Sequence, residues 1–388
     1  MVRAVPRAEP VGSLIRPADI TRRFDEIYAA NACASPWFAA PGKATAFGEL
    51  ARACDGYVAE FVRRQVEAGL DVVTDGEIRR SHFMSSLFDA ATGFSEPPER
   101  LVVAGPSGEV IYSGFADPLV SGPLRKAGSP AIGEAAVLRG LTSQPGATVP
   151  FKITFPAPSY FFAALVEVEP DAGYNSRQAL VDDVITVEQE LVTEAIAAGA
   201  TWIQFDFPIY PGLADTGYAT QLADLHGLSR EDLLTSAIEA DTKVTTGIPE
   251  GVTVALHLCR GNFPGGMWSG SLEPVAERLF DELPFRRYLI EWEDVEREGD
   301  YSPLRHAPRD AVVGLGLIST KTPVLEADDD VLRRLDEAAG FLPLEQLALS
   351  PQCGFASLMG DRLVEREDAQ WRKLDLVGRI AERVWGTT

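Results

Sequence analysis

Seven short apolar runs, interleaved with segments of helical composition, constrain the fold of this 388-residue chain more than any other feature. They are Asp71 to Glu77 (DVVTDGE), Phe151 to Pro158 (FKITFPAP), Trp202 to Pro208 (WIQFDFP), Val252 to Cys259 (VTVALHLC), Arg286 to Glu293 (RRYLIEWE), Val312 to Ser319 (VVGLGLIS) and Leu347 to Gly354 (LALSPQCG). Pro10 to Leu14 (PVGSL) supplies an eighth near the N-terminus. Continuous apolar runs of this length read as strands buried on both faces, the habit of parallel sheets. Helical composition recurs at Phe47 to Ala68, Asp182 to Ala198, Leu272 to Leu283, Asp328 to Ala339 and Glu367 to Val384. Eight strands with crossover helices predict an α/β fold, a (β/α)8 TIM barrel forming one domain over residues 1–388. An open doubly wound sheet is the competing arrangement, because periodicity does not show closure. Two segments fall outside the alternation. Asn31 to Gly48 reads as a loop, and residues 94–150, with period-two stretches and glycine punctuation, as an inserted β excursion between the second and third strands.

The formal charge of -22, from 57 acidic and 35 basic residues, repels the nucleic-acid backbone and anionic lipid, so neither is expected as a partner. No stretch has the pattern of a signal peptide or a membrane span. Four cysteines are too few for a secreted disulfide scaffold, and a cytoplasmic location with reduced thiols is expected.

The runs end on polar residues, and in a barrel those ends converge on one mouth. His257 and Cys259 close the fifth run; side chains two apart on a strand point the same way, with Cα atoms about 6.5 to 7 Å apart. Alone, the pair also fits a core cysteine beside a buried histidine. Glu291, at the end of the sixth run, is a carboxylate in an otherwise apolar stretch, where burial is costly unless the group is paired or ligated. Cys353 stands at the end of the last run, Leu347 to Gly354. One nitrogen, two sulfurs and one carboxylate suit Zn2+, held either as a closed structural site or as one in which Glu291 gives way to a substrate thiol. Bound metal deprotonates a coordinating thiol and leaves a nucleophile at neutral pH. Glu77 in DGE and Asp206 in FDFP add carboxylates to the same mouth, where they would bind a cationic group such as an amine, or else cap helices.

With these residues, from Val11-Gly12-Ser13 through DGE, KITFPAP, IQFDFP, HLC and IE to SPQCG, the chain resembles the catalytic C-terminal barrel of the cobalamin-independent methionine synthases and its stand-alone relatives. The resemblance implies an enzyme of methionine biosynthesis, a zinc-dependent transferase moving a methyl group to a thiol without a cobalamin of its own. Homocysteine is the family's acceptor and methyltetrahydrofolate its usual donor. It implies His257, Cys259, Glu291 and Cys353 as zinc ligands, Glu77 and Asp206 as the pair holding the acceptor's ammonium, and Ser13 as part of a carboxylate cradle. The catalytic set expected is thus Glu77, Asp206 and Glu291.

Three departures bear on substrate. Asp206-Phe207-Pro208 stands where the long synthases have Asp-Glu-Pro, and Leu317-Ile318-Ser319-Thr320-Lys321 where they have a histidine. The tryptophan they place near the pterin is missing, with Tyr160, Phe161 or Phe162 available to stack instead. A donor other than free methyltetrahydrofolate, or one presented by a partner protein, is therefore expected, with Tyr160 and Lys321 as substrate-binding candidates. The scaffold is also similar to zinc-dependent alkyltransferases that join coenzyme M to an epoxide. That reaction needs a sulfonate site, for which Arg16, Arg79, Arg80 and Lys321 are the candidates. A zinc-stabilised barrel without catalysis is the third reading.

Overall fold

The structure is a computed structural model that describes residues 5–31, 43–95, 101–104, 110–114, 118–143, 149–263, 265–357 and 367–386. Four strands of the inserted region come first: β1 (Ala91–Ser95), β2 (Leu101–Ala104), β3 (Val110–Gly114) and β4 (Leu119–Lys126). Six more form one parallel sheet in sequential order: β5 (Lys152–Pro156), β6 (Trp202–Asp206), β7 (Thr253–Leu258), β8 (Arg287–Glu291), β9 (Val312–Ile318) and β10 (Leu347–Pro351). All residues of β5, β6, β8 and β10 are buried, as a sheet covered on both faces requires. Helices follow the strands in TIM-barrel-like order: Arg177–Ala197, Arg230–Val244, Glu273–Glu282, Asp328–Ala339 and Glu367–Trp385. One apolar cluster extends from Ala8 to Ala381. No described helix is long and apolar enough to cross a membrane.

The expected first and second strands take a different form. In place of a strand at Pro10 to Leu14, Ala8 makes an isolated parallel bridge to Leu349 of β10. Val73 likewise bridges Phe151 beside β5, and the Asp71 amide donates to the Ala8 carbonyl at 2.7 Å. The cause is local: the Asp71 carboxylate accepts the amides of Arg7 and Ala8 at 2.7 and 3.0 Å, so a side chain takes over part of the ladder's work. Six regular strands and two short bridging segments therefore stand where eight strands were expected.

The inserted region also differs from expectation. β1 pairs antiparallel with β4 and β2 with β3, but Pro130–Thr142 is a helix. Ser129 followed by proline was the start signal within this stretch. Of the expected loop at Asn31 to Gly48, residues 32–42 lie outside the described residues, and Lys43 already begins the helix that runs to Glu67.

Candidate metal centre

Register brings the strand ends together. Asp206 of β6 lies opposite His257 of β7, His257 opposite Leu289 of β8, and Glu291 of β8 opposite Gly316 of β9. Cys353 follows β10 by two residues. His257, Cys259 and Cys353 each offer one donor atom within 4.8 Å of the others, and all three are buried. The Cys259 and Cys353 sulfurs are 3.6 Å apart as free thiols.

The imidazole is already set for a ligand. Nδ1 of His257 lies 3.2 Å from the Leu289 carbonyl, which can only accept, so Nδ1 carries a proton and Nε2 is the nitrogen left to ligate a cation. Nε2 is buried and has no hydrogen-bond partner. A buried acceptor without a donor is costly, and a cation between Nε2 and the two sulfurs would satisfy it. The hydrogen bond to Cys353 and then burial push the Cys259 thiol well above its ordinary range, so a thiolate here needs a cation. The borderline-soft donor set suits zinc.

The loop carrying Cys353 is tied down by amides. Gln352 accepts from the Thr320 amide and hydroxyl at 2.6 Å each and donates to Asn262 at 3.0 Å. Asn262 in turn donates to the Gly354 carbonyl and the Ser357 hydroxyl at 2.9 Å each. No periodic pattern announces this network.

Glu291 stands beside the three donors with its carboxylate engaged elsewhere. It accepts from the Arg260 amide at 2.5 Å, Arg297 Nη2 at 2.5 Å and Lys321 Nζ at 2.6 Å. Burial would raise its pKa, but Lys321 and Arg297 hold it below the usual carboxylate range. Its metal-competent neighbours are Glu293 and Glu298. Arg297 had no sequence signal either.

Glu77 and Asp206 form the acidic side of the mouth. Glu77 Oε1 accepts from the Thr154 hydroxyl at 2.7 Å, while Oε2 is buried without a partner. Burial first, then Asp206 and Asp75, push its pKa up to about 7 against the opposing influence of Arg80 and Thr154. A side chain on Gly12 would collide with Glu77 Oε1, so the carboxylate's seat depends on that glycine. Asp206 is raised by burial, which His257, Gln204, Lys152 and Arg80 oppose.

A buried chain of polar groups reaches Asp206 from inside the sheet. Arg287 donates to Glu9 at 2.5 Å; Lys152 donates to Glu9 at 2.7 Å and to Gln204 at 2.8 Å; Gln204 donates to Asp206 at 2.6 Å. Lys152 in FKITFPAP and Gln204 two residues before Asp206 were its visible traces, a cation and an amide inside apolar runs.

The remaining expected residues also come near the mouth. The Ser13 hydroxyl accepts the Ala356 amide at 3.3 Å, and the Ser13 carbonyl accepts the Phe355 amide at 2.8 Å. Tyr160 is buried with its ring 5.4 Å from Phe207, and Phe207 stacks on Trp268 at 5.0 Å. Lys321 is committed to Glu291 and to Glu293, the latter at 2.5 Å.

Residues 167–366 match the family model described as the catalytic domain of cobalamin-independent synthase. The uncharacterized protein YxjH of Bacillus subtilis is 32% identical over 98% of this chain and 94% of its own length. A methionine synthase of Methanothermobacter thermautotrophicus is 27% identical over 76% of this chain and 81% of its own length. Among solved structures, a putative vitamin-B12 independent methionine synthase from Listeria monocytogenes superposes with a TM-score of 0.71 at 24% identity, covering 100% of this chain and 99% of that one.

Proposed function

The chain belongs to the cobalamin-independent methionine synthase family, and from that premise we propose that it methylates the thiol of homocysteine at a zinc site formed by His257, Cys259 and Cys353, with Glu291 beside them. Bound zinc would supply a thiolate at neutral pH. The chain's own residues do the rest. Glu77 and Asp206 receive the acceptor's ammonium, and Ser13, where the N-terminal segment meets the loop after β10, takes part in binding its carboxylate. In the transfer the acceptor loses its S–H proton and gains an S–CH3 bond. The donor–CH3 bond breaks with its electron pair left on the donor, which takes up a proton. Tyr160, Phe207 and Trp268 give the donor side an aromatic wall.

The observation that carries this reading is Glu77 Oε2, a buried carboxylate oxygen without a partner in the same mouth as a three-donor metal cluster. An ammonium group would complete it. The sulfonate alternative has less support, because the cations proposed for it are engaged. Arg16 donates to the carbonyls of Arg80, Ala356 and Glu77, Arg79 to Asp75, Arg80 to Glu134, and Lys321 to Glu291.

The decisive experiment supplies zinc-loaded protein with homocysteine and a panel of methyl donors and follows methionine. Free methyltetrahydrofolate is expected to be a modest donor at best, with another donor, or folate presented by a partner protein, preferred. Asp206→Asn should weaken homocysteine binding by about 1 to 3 kcal/mol, the size of a charge-assisted contact, and leave a thiol without an amine nearly unaffected. Equal losses for both thiols would count against the ammonium site.

A further inference from the structure

Asp241 stands on the outer helix Arg230–Val244, yet it is fully buried and its carboxylate bonds two segments that border the mouth. Oδ1 accepts the Ser159 amide and Oδ2 the Tyr210 hydroxyl, each at 2.8 Å. Ser159 belongs to the turn Pro158–Phe162 after β5, and Tyr210 opens the short helix Tyr210–Ala214 after β6. The Ser159 hydroxyl in turn accepts the Ile209 amide at 3.2 Å. Residues 206–210 are thus held at both ends. At the near end the Asp206 carbonyl accepts the Ala157 amide at 2.7 Å and the Phe207 amide reaches the His257 carbonyl; at the far end Ile209 and Tyr210 lead to Asp241. Between them Phe207 has a left-handed backbone at φ 60°, which a residue with a side chain adopts only when its surroundings over-determine it.

A second buried acid faces Asp241. Glu188 lies on helix Arg177–Ala197, which packs on both the Asp241 helix and the turn at Ser159, and neither of its carboxyl oxygens has a partner among the described residues. Burial, then Asp241, push its pKa well above the usual carboxylate range, whereas burial lifts Asp241 to about 6 against the influence of Ser159 and Tyr210. At neutral pH the pair carries one charge, on the member that has donors. Elsewhere around this helix, His226 meets the Phe162 carbonyl, Arg278 pairs with Glu231, Lys243 pairs outward with Asp182, and Tyr288 of β8 acts on Tyr210.

We propose that Asp241 is a positioning residue for the acceptor site: through Ser159 and Tyr210 its carboxylate holds residues 206–210 in the shape that presents Asp206 to the mouth. The inference rests on the proposed function, in which Asp206 holds the acceptor's ammonium. Asp241 itself touches no substrate. Hydrogen bonds to an ionised acceptor are stronger than those to a neutral one, so the strained turn is held most firmly while Asp241 is charged. Protonation slackens it, and Asp206 moves with the turn.

Methionine, the expected product, tests this without turnover, since it has the acceptor's ammonium and carboxylate but no thiol to titrate. Its affinity for full-length, zinc-loaded protein is measured by calorimetry across pH for the parent and for Asp241→Asn. Glu77 acts on both alike, so their ratio isolates Asp241. The parent should bind about tenfold more tightly near pH 7.5, and the gap should shrink to about twofold near pH 5, where the parent's Asp241 is protonated too. Glu188→Gln, which copies a neutral acid, should follow the parent's curve within about twofold.

A gap of constant size at every pH would make Asp241 a structural residue only, and the absence of any gap would show that the turn does not need it; either result overturns the proposal. So would a Glu188→Gln protein that behaves like Asp241→Asn, because the charge would then belong to Glu188. If Asp241→Asn does not fold, Tyr210→Phe removes one of the two donors and should open a gap of about threefold that narrows in the same way. A Tyr210→Phe protein with the parent's curve would overturn the proposal as well. A parent that does not bind methionine would overturn the proposed function and this inference with it; a parent that binds it no better than Asp241→Asn does would overturn this inference alone.

Discussion

Glu77 and Phe207 are the two non-glycine residues with left-handed backbone among the described residues, at φ 53° and 60°, and both flank the metal cluster. Such a conformation costs of order 1–3 kcal/mol and persists only where neighbours impose it. Here the Glu77 amide donates to Asp75 at 2.9 Å and its carbonyl accepts from Arg16, while the Phe207 amide donates to the His257 carbonyl at 3.2 Å. The strain aims a carboxylate into an environment that lifts its pKa from 4.5 to about 7. Between those two values the folded protein keeps a proton that the unfolded chain has lost. Stability of the ligand-free protein should therefore fall as pH rises across that window, by on the order of 3 kcal/mol, which urea midpoints at several pH values measure. An ammonium ligand selects the ionised carboxylate, so its affinity should rise about tenfold per pH unit below 7 and level off above. Calorimetric titration against pH checks the sign: affinity that weakens with rising pH would exclude Glu77 from the ammonium site.

Strands β5 and β6 carry this chemistry inward. Lys152 and Gln204 connect Asp206 to Glu9 and Arg287 through contacts of 2.5 to 2.8 Å, all from residues at most 5% exposed. Lys152→Met leaves Glu9 with one cation and Gln204 Oε1 without its donor. Breaking a buried pair in this way should cost about 3 to 5 kcal/mol, read as a lower urea midpoint. Gln204→Leu should cost less stability but weaken the amine-bearing thiol selectively, since it releases Asp206. The six regular strands and their polar ends were legible in the sequence because buried parallel strands write continuous apolar runs that stop where the mouth begins. Helix Asp328–Ala339 was found as expected, whereas Arg177–Ala197 begins before the expected Asp182 and Arg230–Val244 was not read. The first two strands were misread because pairing there is made by single bridges and by Asp71, which leave no periodic trace. Helix Pro130–Thr142 was hidden among the period-two stretches around it. The grouping of His257, Cys259 and Cys353 was legible, whereas the ion pairs of Glu291 were not. They are made by Arg297, in the one-turn helix Val295–Glu298, and by Lys321, in the loop after β9, which reach the carboxylate only once the chain is folded.

At the scale of the whole molecule, the metal donors connect distant parts of the chain, with Cys259 and Cys353 separated by 94 positions. An ion that binds the folded form alone stabilises it by about 2.7 kcal/mol at a hundred times its dissociation constant. Melting temperature should therefore climb by several degrees with added zinc and fall on chelation, and Cys353→Ser should respond to neither. The two bridging segments have a different consequence. The metal donors belong to the continuous ladder of β7 to β10 and the loops it anchors, whereas Glu77 and Ser13 sit just beyond the seam where Ala8 and Val73 make single bridges. On the proposed reading the site is half rigid and half compliant: the part proposed to hold the ion is fixed by the sheet, and the part proposed to hold the amino acid is joined to it by single bridges. Hydrogen exchange should find the amides of 71–77 opening faster than those of 253–258, and binding of the amine-bearing thiol should slow only the first set, stitching the seam from inside the mouth.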